Sequence, residues 1–335
     1  MNETTAEASL QHFKQSVLNA DEIKAEAIRL GFSACGLAPA EPVDKNHQTY
    51  YEEWIKQGAQ GDMHYLENYT DKRFDPQLLV PGTKTIVSVA LNYYPKSFMK
   101  STEAQIAWYA YGKDYHDIMK EKLMKLMLYI KNRLQQHEDN IELGRAFCDT
   151  APVMERYWAW RAGLGWIGKN HQLIVPKAGS TFFLGELFLV LPANQYDQPT
   201  KRHCGLCRKC LEACPTQALT EQKFDARRCL SYLTIENRND IPQWAAANMG
   251  SCFYGCDRCQ IVCPHMNFAT PTTEERFYLS EELENMTKNQ WLTLDVENYR
   301  RIFRGSAVKR AKYEGLMRNI NAIKTHLQHD KDEDS

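Results

Sequence analysis

No stretch of this 335-residue chain is apolar enough to cross a bilayer. The longest candidate, Phe182 to Leu191, is interrupted by Glu186 and falls short of the roughly 20 residues a spanning helix needs. The N-terminus, Met1-Asn2-Glu3-Thr4-Thr5, is polar and acidic and lacks the basic-then-apolar order of an export signal. An excess of charge is also missing: 41 Lys and Arg stand against 42 Asp and Glu, a formal net charge of −1. No global field therefore marks the chain as a nucleic-acid binder, and any such contact must rest on a local patch. Together these absences argue against a membrane protein and for a cytoplasmic one, in a compartment where thiols stay reduced. With 43% hydrophobic residues the chain can bury a sizeable core and carry two or more domains.

Cysteine, by contrast, is abundant and patterned. Cys204-x2-Cys207-x2-Cys210-x3-Cys214-Pro215 is followed by Cys252-x3-Cys256-x2-Cys259-x3-Cys263-Pro264. That is the spacing of a two-cluster bacterial ferredoxin, in which three closely spaced thiolates wrap one 4Fe-4S cube and the fourth, before proline, turns to the other cube. Zinc knuckles take two thiolates from each of two turns and fit three-Cys runs poorly. Disulfides fit a secreted chain, which this does not resemble. Crossed ligation assigns Cys204, Cys207, Cys210 and Cys263 to one cube, and Cys214, Cys256 and Cys259 to the other. The missing eighth ligand is Cys252 or Cys229, and spacing leaves both open.

The remainder reads as α/β (α+β). Three regions are expected: an α/β domain over 1–195, a ferredoxin-like 4Fe-4S domain over 196–270, and a short helical segment over 271–335 with a disordered tail from Asp330. A helix is expected over 21–31, a strand over Thr85–Leu91 after the Pro81-Gly82 turn, and an amphipathic helix from Tyr115 to Gln136. A short strand over 144–148 leads to Asp149, a helix runs from Glu155 to Ala162, and His171–Val175 and Thr181–Leu191 are extended. Gly163-x-Gly165-x-x-Gly168 matches the dinucleotide fingerprint by letter. Its context is reversed, because a helix precedes it and a strand follows. The glycines read instead as a loop close to a flat ligand or a neighbouring backbone. Asp149, at the end of an apolar strand, is a candidate acid whose partial burial would raise its pKa; the alternative is a helix N-cap ahead of Pro152.

Three segments carry a resemblance: Cys148-Asp149-Thr150-Ala151-Pro152-Val153-Met154-Glu155-Arg156, Ala162-Gly163-Leu164-Gly165-Trp166-Ile167-Gly168-Lys169-Asn170, and Arg228-Cys229-Leu230-Ser231-Tyr232-Leu233-Thr234-Ile235-Glu236 between the cysteine runs. With Tyr111–His116 and the segment from Asp71 to Gly82, they resemble the epoxyqueuosine reductases, cobalamin-dependent oxidoreductases of queuosine biosynthesis, over roughly residues 20 to 320. The resemblance implies that an α/β domain and the ferredoxin-like module clasp a base-off cobalamin, and that two 4Fe-4S clusters reduce its cobalt to Co(I). Attack on the epoxide of epoxyqueuosine in the tRNA anticodon loop, with Asp149 as proton donor, then yields queuosine. It also implies Cys229 as the eighth cluster ligand, and cobalamin contacts at Arg73, Asp149, Ser231 and Asp257, with Leu173 and Ala107 as weaker ones.

Partners implied are tRNA carrying epoxyqueuosine and an external low-potential electron donor, with the chain a monomer. Arg300, Arg301, Arg304, Lys309, Arg310, Lys312 and Arg318, with Lys201, Arg202, Arg208 and Lys209 beside the first cysteine run, are the candidate RNA footprint. Many members of the family continue past Arg318-Asn319-Ile320 into a helical-repeat extension, so tRNA affinity is expected to rest on the cluster domain and this basic segment. Two other readings are a dehalogenase-type reductase acting on a small molecule and a non-catalytic electron carrier. The first more often brings an export signal, and the second does not need the α/β domain.

Overall fold

The computed structural model describes residues 16–102, 104–134 and 142–333. Eight strands run in chain order: β1 Ala34–Pro39, β2 Thr85–Asn92, β3 Gln105–Ile106, β4 Gly144–Phe147, β5 Trp166–Ile167, β6 Leu173–Ile174, β7 Phe182–Leu189 and β8 Cys252–Tyr254. Four of them form the central sheet, in the order β1-β2-β7-β4, and every pairing within it is antiparallel.

Alternation along β2 divides the core. Val87, Val89 and Leu91 face one side with the helices Ala20–Arg29 and Tyr115–Arg133, while Ile86 and Ala90 face the other with the helix Glu155–Arg161. In register across the sheet, Ser88 opposes Glu186 of β7. A third core joins residues 99–111 to 226–323, and β3 pairs in parallel with β8. The chain segment 99–111 therefore packs with the cluster region rather than with the sheet that precedes it.

The expected elements appear within a few residues of their expected bounds; positions 135 and 136 of the long helix lie outside the described residues. The C-terminus differs. A helix runs over Lys312–Glu333, past the expected start of an irregular tail at Asp330. Leu316, Ile320 and Ile323 are buried and anchor its first turns, and extending an anchored helix is far easier than nucleating one. The glycine-rich run 163–168 has the inverted context read from the sequence, with the Glu155–Arg161 helix before it and β6 after it, β5 lying within the run. A Cβ on Gly165 would lie 2.1 Å from the carbonyl oxygen of Ile174, so this glycine admits a neighbouring backbone, not a pyrophosphate. Among the described residues no helix is long and apolar enough to cross a membrane.

Candidate functional site

The two cysteine runs fold alike. Between Cys204 and Cys207 the chain turns tightly through Gly205, at φ +49°, and the amide of Cys207 donates to the Cys204 carbonyl at 3.0 Å. The one-turn helix Lys209–Glu212 follows, and Cys214 exits before Pro215. The second run repeats this with the helix Arg258–Ile261 and the exit of Cys263 before Pro264. The two short helices pack against each other, so each exiting cysteine reaches the opposite run. Cys263 lies within electrostatic reach of Cys204 and Cys207, as does Cys210. Cys259 lies within reach of Cys229, Cys256 and Cys214. All are free thiols, and among the described residues no three His, Cys, Asp or Glu side chains close around a single-ion site. Both contenders for the eighth position approach Cys256. Cys229 sits among the other three thiols, with burial pushing it up to about 11, whereas Cys252 hydrogen-bonds Cys256.

Asp149 follows edge strand β4 and adopts φ +58°, a left-handed conformation that aspartate tolerates better than most residues. It is no helix cap: Met154 holds the N-cap position of the Glu155–Arg161 helix. Its carboxylate accepts the hydroxyl of Tyr115 at 2.5 Å and lies 3.4 Å from Nε2 of His116. Its own backbone N–H donates to the Glu155 carboxylate. The expected upward pKa shift is reversed. His116 above all, and then Tyr115, hydrogen-bond the ionised carboxylate and hold it below the usual range, outweighing desolvation. The protons sit next door instead. His116, held by Asp114 at 2.6 Å and by Asp149, is raised to about 9. Burial and then the Asp149 charge raise Glu155 to about 8.

Tyr115, His116 and Glu155 were not singled out as functional from the sequence. The available signal was Asp114, whose side chain caps the Tyr115–Arg133 helix and so aims the first residues of that helix at the β4 exit.

An aromatic path leads from this carboxylate to the second cysteine run. The rings of Tyr115 and Tyr109 lie 6.3 Å apart, and the Tyr109 hydroxyl donates to that of Tyr254 at 3.0 Å, two residues before Cys256. Ala107 donates its amide to the Tyr254 carbonyl at 2.7 Å, and Trp108 donates its own to Asp257 at 2.8 Å. Asp257 is buried, and desolvation raises it to about 7. Ala107 and Asp257 thus lie at the cysteine end of this path and Asp149 at its other end. Ser231, two residues after Cys229 in the Leu230–Ile235 helix, is half-buried. Arg73 is buried, not a surface ion pair. Its guanidinium lies 5.3 Å from the Tyr51 ring, and its Nε has no hydrogen-bond partner among the described residues. Leu173 is buried in β6. Neither Arg73 nor Leu173 makes a hydrogen bond or ion pair with Asp149 or Asp257 among the described residues.

The basic segment separates into two kinds. Arg301 pairs with Glu282 at 2.5 Å and Arg310 with Glu236 at 2.8 Å, while Arg318 donates to the carbonyls of Leu233, Asn237 and Asn239 at 3.0, 2.6 and 2.7 Å. These are structural contacts, although Arg310 also lies within electrostatic reach of Asp149. Arg300, Arg304, Lys309 and Lys312 are exposed and have no carboxylate within ion-pair distance among the described residues.

The chain matches the family model described as "Epoxyqueuosine reductase QueG, DUF1730" over residues 73–150 and that of a "4Fe-4S double cluster binding domain" over residues 203–266. It is 42% identical over 307 residues to an epoxyqueuosine reductase of Cellulophaga algicola, covering 91% of this chain and 98% of that one. It is 44% identical over 303 residues to one from Leadbetterella byssophila, covering 90% and 97%. It also superposes with a TM-score of 0.74, at 28% identity, on a crystal structure of epoxyqueuosine reductase with an epoxyqueuosine-modified tRNA-Tyr stem loop, covering 91% of this chain and 80% of that one.

Proposed function

The chain belongs to the epoxyqueuosine reductase family, and on that premise we propose that it converts epoxyqueuosine to queuosine in the anticodon loop of tRNA, as a cytoplasmic monomer. The observation that carries this reading is the pair of interleaved thiol quartets joined by the Tyr254–Tyr109–Tyr115 path to Asp149. The overall change is reductive. An epoxide takes up two electrons and two protons, and leaves as an alkene and water.

Cys204, Cys207, Cys210 and Cys263 would hold one 4Fe-4S cube, and Cys214, Cys229, Cys256 and Cys259 the other, a donor set of eight thiols that suits iron-sulfur ligation. Cobalamin, when bound, supplies a metal centre that acts as a nucleophile once reduced. The residues suit such a group: the buried Arg73 Nε lacks an acceptor, Asp257 spends one carboxylate oxygen on the Trp108 amide, and Ala107, Leu173 and Ser231 add apolar and small polar surface.

Asp149 presents the proton, but the shift of its pKa means that it does not store one at neutral pH. His116, protonated below about 9, is the store, and Tyr115 orients the carboxylate that passes the proton on. Glu155, accepting the Asp149 amide, keeps the left-handed turn aimed at the site. Exposed Arg304, Lys309 and Lys312 suit the phosphates of the RNA stem.

The test is metal analysis and turnover on anaerobically purified protein. About eight irons per chain, stoichiometric cobalt after incubation with cobalamin, and conversion of an epoxyqueuosine-bearing stem loop are expected. Zinc in place of iron, or full clusters with no cobalamin uptake, would sink the reading.

A further inference from the structure

Residues around the two thiol quartets differ in what they show to solvent. Next to the second quartet, Leu230, Gly255 and Asp257 are buried. Next to the first, Leu211 is buried but Gly205, Leu206, Arg208 and Lys209 are all exposed, against Arg228 alone beside the second. Leu206 is 97% exposed, with its side chain standing free in the turn between Cys204 and Cys207. A Cβ on the adjoining Gly205 would meet nothing within 4 Å. Two further large apolar side chains are exposed close to the fourth member of the same quartet: Ile261 at 50%, two residues before Cys263, and Phe268 at 55%, five residues after it. Cys263 reaches Cys204 and Cys207, so the three exposed apolar groups sit on the two chain segments that meet around this quartet.

The same segments are also basic. Lys201, Arg202 and Lys209 are exposed and have no carboxylate within ion-pair distance among the described residues. The nearby carboxylates are already engaged: Glu221 by Arg208 at 2.8 Å and by Lys169 at 3.0 Å, and Glu212 by Arg208 at 3.9 Å. Exposed apolar side chains beside unpaired cations are the complement of an apolar patch beside carboxylates.

We propose that the face formed by Leu206, Ile261 and Phe268 and rimmed by Lys201, Arg202 and Lys209 docks an acidic one-electron carrier protein, which delivers electrons to the Cys204/Cys207/Cys210/Cys263 cluster. This inference rests on the two-cluster reading above. At each docking, one electron leaves the carrier, oxidising it by one, and enters the cluster, reducing it by one, with no bond made or broken; two dockings supply one turnover. RNA is the less fitting occupant, because a phosphate backbone has no use for an apolar centre.

The experiment follows bleaching of the cluster absorbance under anaerobic conditions, with holoprotein mixed against reduced flavodoxin, an acidic flavin carrier, and against an acidic ferredoxin. Dithionite, a small reductant that needs no docking face, is the control. For the wild type, reduction by a carrier protein is expected to slow steeply with added salt. Leu206→Glu and the double variant Lys201→Glu/Lys209→Glu are expected to slow it tenfold or more, with iron content and dithionite bleaching unchanged. Unaltered carrier rates in both variants overturn the proposal, as does failure of both carriers to reduce a wild-type protein that dithionite bleaches. Weakened binding of the stem loop with unaltered carrier rates overturns it in favour of an RNA surface. Absence of dithionite bleaching in the wild type instead removes the cluster reading itself.

Discussion

His116 points Nε2 at the Asp149 carboxylate from 3.4 Å while its Nδ1 is held by Asp114 at 2.6 Å. The imidazolium is thereby flanked by two carboxylates, which hold the histidine protonated and leave the aspartate ionised.

Asp149→Asn keeps the size of the side chain and the tolerance for a left-handed backbone, and removes the group that passes the proton. Turnover of the stem loop should fall by about 10²- to 10⁴-fold, the usual worth of general acid catalysis, with cluster and cobalamin spectra unchanged. Retained turnover would remove Asp149 from the mechanism.

The pH profile follows from the same pair. A histidine raised from 6.5 to about 9 contributes stability that is full below 6.5 and lost as pH rises through about 9; the lowered carboxylate of Asp149 contributes above its ordinary 3.8 and is lost only in stronger acid. The groups that face the pair are Asp114, Tyr115, Glu155 and Arg310. Single-turnover rates should therefore fall above about pH 9, and His116→Asn should abolish that limb. An alkaline limb that persists in the variant assigns it to another group.

Cys229 and Cys252 both lie against Cys256, but only Cys229 also neighbours Cys259. Cys229→Ala should cost the second cube and bring iron from about eight to about four per chain, whereas Cys252→Ala should leave about eight. The opposite result would exchange their roles.

Glu186 is completely buried on β7, takes one hydrogen bond from Ser88 at 3.2 Å, and leaves Oε2 without a partner. Burial, and then the Glu155 charge, hold it protonated far above its ordinary pKa. The unfolded chain releases this proton above about pH 4.5 and the folded chain keeps it, so the wild type loses stability as pH rises. Glu186→Gln removes that loss. In urea unfolding from pH 5 to 8, the variant should gain on the wild type by on the order of 1 kcal/mol per pH unit; parallel curves would mean that Glu186 is ionised in the fold.

Arg318 separates structural from RNA-contacting cations. Losing its bonds to the carbonyls of Leu233, Asn237 and Asn239 in Arg318→Ala should destabilise the fold by about 2 kcal/mol. The salt dependence of stem-loop binding should stay unchanged. Lys309→Ala/Lys312→Ala should do the reverse, flattening the salt slope and leaving stability alone.

The cluster chemistry was legible in the sequence because thiolate ligation is a local matter of loop length: C-x2-C-x2-C-x3-C-P states how many residues separate each donor. The two central strands were legible for a similar reason, since Thr85–Leu91 and the 182–191 run concentrate apolar residues as buried strands do, but their antiparallel pairing was not. The choice between Cys229 and Cys252 was not legible from spacing, because Cys252 meets Cys256 locally, four residues on, whereas Cys229 reaches Cys256 and Cys259 only through contacts made across the fold. Asp149 stood out in the sequence as a candidate acid at a strand end, but the direction of its pKa did not. That direction depends on which side chains of a helix beginning at Tyr115 meet the end of β4, a distance of more than 30 positions along the chain. Glu186 makes the same point from the other side. As a letter it only interrupts an apolar run, whereas in the sheet it becomes a buried carboxyl that desolvation and then the Glu155 charge hold protonated. Spacing and periodicity act along the chain and are written in it; desolvation and charge pairing act through space, and only the packed structure decides them.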